Sequence, residues 1–83
     1  MTKSIFQPEY KYFREMLINS RKKANLTQIE LSKVLNRPQS YVSKYERGER
    51  RIDIIEFLEI SNILEIDVFT FISTLQENFK EKN

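Results

Sequence analysis

The chain has 83 residues, fourteen Lys+Arg against twelve Asp+Glu, a net charge of +2 and a pI near 9.0. A domain typically takes about 100–200 residues, so one domain spanning 1–83 is expected. Histidine, cysteine and tryptophan are missing and glycine occurs once. This composition excludes disulfides, thiolate metal sites, a Ser–His–Asp triad, the usual zinc clusters and Gly-rich phosphate loops. No cofactor, metal or small-molecule ligand is expected, and no enzyme.

The opening Met1–Tyr10 has no apolar core of a signal peptide. The longest apolar runs are short, such as Met16–Ile18, whereas a membrane span takes about 20 apolar residues. A soluble cytoplasmic protein is expected, with residues 1–7 as an N-terminal arm and 80–83 as a flexible tail.

Pro8 suits a first helical turn. Tyr10, Phe13, Leu17 and Ala24 follow at helical spacing, which predicts a first helix over Pro8–Ala24, ended by Asn25 in the left-handed conformation. Aromatics at this spacing read as core, so Tyr10, Tyr12 and Phe13 are assigned to packing before a stacking platform. Thr27-Gln28-Ile29-Glu30 has the form of a capping box, and Leu31 and Leu35 give a second helix, about Thr27–Leu35, its buried stripe. Proline can open a helix but not continue one, so a third helix is predicted over Pro38–Arg47, closed by Gly48. Asp53-Ile54-Ile55-Glu56 repeats the capping-box form and starts a fourth helix, Asp53–Leu64, with Ile54, Phe57, Leu58, Ser61 and Leu64 facing inwards. Asp67 caps a fifth, Val68–Phe79, with Phe71, Ile72 and Leu75 facing inwards. No period-2 alternation predicts a strand. The fold class is all-α, a compact five-helix bundle.

The second and third helices are short and about three residues apart, the spacing of a helix-turn-helix. On the third, Ser40, Ser43, Lys44 and Arg47 fall at i, i+3, i+4 and i+7 and form one polar, basic stripe, while Val42 and Tyr45 point to the core or its edge. Gln39 stands at the N-terminal tip, where an amide can reach base edges.

The stretch Leu26-Thr27-Gln28-Ile29-Glu30-Leu31-Ser32, followed by Pro38 through Arg51, resembles the Cro/phage-repressor type of helix-turn-helix, the XRE family. The likeness runs from about Phe13 to Ile72. It implies a lambda-repressor-like domain that binds specific double-stranded DNA. By this resemblance Gln39, Ser40 and Lys44 face bases, with Ser43 as a fourth. Gln28 binds a phosphate and braces Gln39. Tyr45 and Arg47 lie near the DNA backbone, and Arg21 with Glu46 forms a structural ion pair. Departures are Asn25 and Asn36 where the family often has Gly, Ser32 where it often has Ala, and Pro38 where it usually has Ser or Thr. Arg50 and Arg51, after Gly48, are expected on phosphates. Lys22 and Lys23 suit either phosphates or the dipole at the end of the first helix. Glu56 and Glu59 read as a solvated helix face, with no catalytic partner in view.

Ile52, Ile55, Ile63, Phe69 and Phe79 exceed what one-sided helices need. Exposed, they would be sticky, and a two-fold dimer would cover them. The expected dimer face is Ile55, Ile63, Phe69, Ile72 and Phe79, with Ile5 and Phe6 as alternative cover. The function expected is a homodimeric, sequence-specific transcriptional regulator of repressor or controller type on a pseudo-palindromic operator. The alternative is an antitoxin or interaction module whose apolar C-terminal helices hold a toxin. Charge is polarised along the chain: residues 1–51 carry twelve basic and five acidic side chains, and residues 52–83 carry two basic and seven acidic. The expected DNA-facing elements lie in the basic part.

Overall fold

The computed structural model describes residues 7–80. Five helices follow in order: α1 Pro8–Lys23, α2 Gln28–Val34, α3 Tyr41–Arg47, α4 Ile54–Leu64 and α5 Val68–Lys80. No strand occurs among the described residues. Most of the expected arm and tail, with Ile5 and Phe6, lies outside them.

Local chemistry sets the starts. Pro8 occupies the first turn of α1. Thr27 and Asp53 cap α2 and α4 through complete capping boxes: each side chain accepts from the amide three residues on, and Glu30 and Glu56 reach back to the cap amide. Asp67 Oδ1 accepts from the Thr70 amide at 3.2 Å and caps α5.

The ends share one device. Asn25, Asn36, Gly48 and Glu65 all have positive φ, between 56° and 83°. After each, the next amide returns to a carbonyl five residues back: Leu26 to Arg21, Arg37 to Ser32, Glu49 to Lys44 and Ile66 to Ser61. These are Schellman closures, which satisfy the last carbonyls and turn the chain sharply. Asparagine tolerates this conformation better than other side chains, which accounts for Asn25 and Asn36 standing in for glycine. Glu65 was not expected there.

The core is built from Leu17, Leu31, Tyr41, Val42, Tyr45, Phe57, Ile60, Leu64 and Phe71. Phe13, Phe57 and Phe71, from α1, α4 and α5, pack as a triad with centroids 5.0–5.8 Å apart, in the range where aromatic pairs add to area burial.

Three expectations need correction. The third helix starts at Tyr41, not Pro38. Residues 38–40 form a turn in which the Tyr41 amide bonds to the Pro38 carbonyl at 2.9 Å, and Ser40 has no side-chain cap bond. Ser32 of α2 supplies the missing acceptor: its buried Oγ takes the Val42 amide at 3.1 Å. A hydroxyl where the family often has Ala thus ties α2 to the start of α3. The inward face of α4 is also rotated from the one expected. Ile54 and Leu58 are exposed, while Glu56, Phe57, Ile60, Ser61 and Leu64 are buried, because Glu56 is neutralised in place by Arg50. Finally, Ile52 and Ile63 are half-buried against the core and not surplus to it, whereas Ile72 and Ala24 are exposed.

Candidate nucleic-acid interface

The position of α3 is fixed by Glu46, a carboxylate inside the protein. Its side chain is 4% exposed. It accepts from Arg21 Nε at 2.8 Å and Arg21 Nη2 at 3.2 Å, a two-pronged pair from α1, and from Gln28 Nε2 of α2 at 2.8 Å. Arg21 also donates to the Leu26 carbonyl at 2.9 Å. One carboxylate therefore locks three helices together. Such charge-assisted, bidentate bonds fix orientation as well as adding energy.

Arg14, which carried no role in the sequence reading, adds a second grip. Its Nη1 donates to the Glu46 carbonyl at 2.8 Å. The guanidinium lies against Gly48, where an added Cβ would come within 3.1 Å of Arg14 Cζ. The single glycine thus serves both the left-handed turn and the approach of Arg14. Nothing in the local sequence marks this grip, because the Glu46 carbonyl and Gly48 are 32 and 34 residues away from Arg14.

With its inner side so held, α3 presents the opposite side to solvent. Gln39, Ser40, Lys44 and Arg47 are exposed and Ser43 is half-buried. The Ser43 hydroxyl donates to the Ser40 carbonyl at 3.0 Å, which ties it to the first turn. Lys22 and Lys23 are exposed in the last turn of α1, where they also complement the helix dipole.

Several expected contacts are differently placed. Tyr45 has no exposed surface and cannot reach a phosphate. Burial pushes its hydroxyl well above the ordinary tyrosine value, and that hydroxyl has no hydrogen-bond partner among the described residues. Tyr45 packs edge-on to Tyr41 at 5.5 Å and belongs to the core. Gln28 holds Glu46 and does not brace Gln39. Arg47 is exposed but paired with Glu49 through bonds of 2.8 and 3.1 Å, and the same bonds hold the Glu49 carboxyl below its usual range. Arg50 pairs with Glu56 at 2.7 Å. Its hydrogen bonds are the first cause that keeps the Glu56 carboxyl low, despite opposing desolvation. Glu56 is buried, so only Glu59 keeps a place on the solvated face first assigned to both. Arg51 stacks over the Tyr10 ring at 4.4 Å, and the Tyr10 hydroxyl accepts from the Ile52 amide at 3.3 Å. Tyr10, packed against Phe13 at 5.6 Å, therefore braces the chain after α3.

Away from α3, Ile55 and Phe69 are 62% and 86% exposed, and Ile72 and Phe79 are 41% and 51% exposed. Ile63 differs from these four, being half-buried on the core rim. Ile54 and Leu58 join the exposed apolar side chains of α4. No helix among the described residues is long and apolar enough to cross a membrane, and no group of acidic side chains among them could hold a metal ion.

The helix-turn-helix family model matches residues 17–71. Among curated proteins no relative matches. A solved structure, the XRE-family like protein from Pseudomonas syringae pv. tomato str. DC3000, is 39% identical, with a TM-score of 0.78 over 83% of this chain and 84% of that one. On the match to α2–α3 and the likeness over most of its length, the chain belongs to the XRE family of helix-turn-helix DNA-binding regulators.

Proposed function

We propose that this protein is a sequence-specific transcriptional regulator that binds a pseudo-palindromic operator as a homodimer in the cytoplasm. The observation that carries the reading is the exposed polar edge of α3. Gln39, Ser40 and Lys44 are unshielded at the base-reading end, on a helix clamped from behind by Glu46 and its partners. A major groove about 12 Å wide admits such a helix, and Gln and Lys suit adenine and guanine edges. Ser43 sits beside them as a fourth reader. Lys22, Lys23, Gln28, Arg47, Arg50 and Arg51 would meet phosphates, Gln28 through the second N–H of its amide and Arg47 after leaving Glu49. Phosphate contact supplies affinity through counterion release. The intact reading edge favours this function over a toxin-binding role.

Ile55, Phe69, Ile72 and Phe79 form the face for a second copy, with Ile63 beneath its edge. Two copies would place two reading helices on half-sites about one helical turn apart.

The test compares DNA selected from a random pool with unselected DNA. Gln39→Ala and Lys44→Ala should each lower the preference for selected DNA by about tenfold or more, in line with the 1–3 kcal/mol of a base contact, and leave thermal stability intact. Unchanged preference in both variants would remove α3 as the reader.

A further inference from the structure

Arg37, Arg50, Tyr41, Glu56 and Glu59 meet on the flank of α3 away from Glu46. Arg37 closes α2 and Arg50 follows Gly48, so they approach from opposite ends of α3. Each guanidinium carbon lies 5.0 Å from the Tyr41 ring centroid. Both guanidiniums face one buried carboxylate oxygen, Glu56 Oε2, at 3.8 Å from Arg37 and 2.7 Å from Arg50. Glu56 is held in turn by the Asp53 cap. Two cations are thereby brought onto one aromatic ring and one buried anion, an arrangement in which little side-chain entropy remains to be lost.

One further anion sits in this arrangement. Glu59 Oε1 accepts from Arg37 Nη2 at 2.6 Å. Unlike Glu56, the Glu59 side chain is 48% exposed, and that of Arg37 is 30% exposed. An ion pair this open to solvent contributes little to stability and exchanges readily. The placement on α3 matters too. With about 3.6 residues per turn, the Ser40, Lys44 and Arg47 edge lies between two flanks, one holding Glu46 and the other Tyr41. A helix lying in a major groove has a phosphate wall on either side. The Glu46 flank offers Gln28, and the Tyr41 flank offers Arg37 and Arg50.

We infer that Arg37 and Arg50, positioned by Tyr41 and Glu56, form a preorganised seat for one DNA backbone phosphate, and that the Glu59 carboxylate occupies this seat in the free protein and leaves it on binding. This assignment rests on the DNA-binding reading above. It makes Arg37 a phosphate contact, Glu56 a positioning residue and Glu59 an internal competitor.

The experiment measures affinity of the full chain for a short random-sequence duplex across a salt series. Arg37→Gln should reduce the slope of log K against log salt by about one, the signature of one lost phosphate contact. Loss of a purely structural arginine would not move this slope. Arg37→Lys should keep the slope and weaken binding several-fold, since lysine keeps the charge without the fork. Glu59→Gln should strengthen binding more than Glu15→Gln, a charge-matched change at an exposed position on α1. A wild-type slope in Arg37→Gln, or equal gains in Glu59→Gln and Glu15→Gln, overturns the seat while the DNA-binding reading stands. Absence of any duplex binding by the wild type overturns both.

Discussion

Replacing Glu46 by Ala should be among the most damaging single changes in the protein. The substitution removes a carboxylate that is 4% exposed and accepts three hydrogen bonds from Arg21 and Gln28. The Arg21 side chain, 12% exposed, would remain buried with only the Leu26 carbonyl as acceptor. Breaking a buried pair on one side typically costs about 3–5 kcal/mol, because the remaining charge is uncompensated. Leu26 and partial solvent access place Arg21 near the lower end, so about 3 kcal/mol is expected. At about 4–8 °C per kcal/mol for a domain of this size, Tm should fall by about 12–24 °C. Urea and thermal unfolding followed by circular dichroism measure both quantities. A double substitution of Arg21→Met with Glu46→Leu should recover most of the loss, since no charge is then stranded. A cost below about 1 kcal/mol for Glu46→Ala would refute the claim that this carboxylate locks α1, α2 and α3 together, because surface pairs reach only that value.

Glu65→Gly should stabilise the fold. Glu65 sits at φ 56° and ψ 42°, where a side chain costs about 1–2 kcal/mol, and the entropy of an added glycine offsets about half of the gain. A rise in Tm of a few degrees is expected, and a fall would contradict the strain. Tyr45→Phe removes a buried hydroxyl without a partner and keeps the ring packing. Stability should hold or rise by about 1 kcal/mol, with DNA affinity unchanged. Weakened DNA binding would restore Tyr45 to the interface. Phe69→Glu alters a side chain that is 86% exposed, so the fold should persist while sedimentation shows monomers. A persistent dimer would move the interface elsewhere.

What the sequence made legible was short-range. The two capping boxes, Thr27 with Glu30 and Asp53 with Glu56, lie within one helical turn and are read directly from residue types. The left-handed ends at Asn25 and Gly48 follow from the same local chemistry. What was not legible depends on partners far along the chain. The start of α3 moves from Pro38 to Tyr41 because Ser32, ten residues before Val42, supplies the acceptor for its first turn. The face of α4 rotates because Arg50 makes it possible to bury Glu56, so an acidic residue holds a core position that hydrophobic counting gave to Ile54. The role of Arg14 is not legible because an arginine in α1 is an ordinary surface residue until Gly48 brings the chain against it. In the candidate site, the spacing of Gln39, Ser40 and Lys44 placed them on one exposed edge. Whether a neighbouring cation is free or already paired, as Arg47 is with Glu49 and Arg50 with Glu56, is a property of the folded chain alone.

The most direct test of sequence-specific reading by α3 is repeated selection of bound duplexes from a random DNA pool with the wild-type protein, followed by sequencing. The expected result is enrichment of a pseudo-palindrome whose half-sites are centred about 10–10.5 base pairs apart, one turn of B-DNA. A pool that stays random after successive rounds, while the protein still binds duplex in a salt-dependent way, would contradict sequence-specific reading and leave only phosphate affinity.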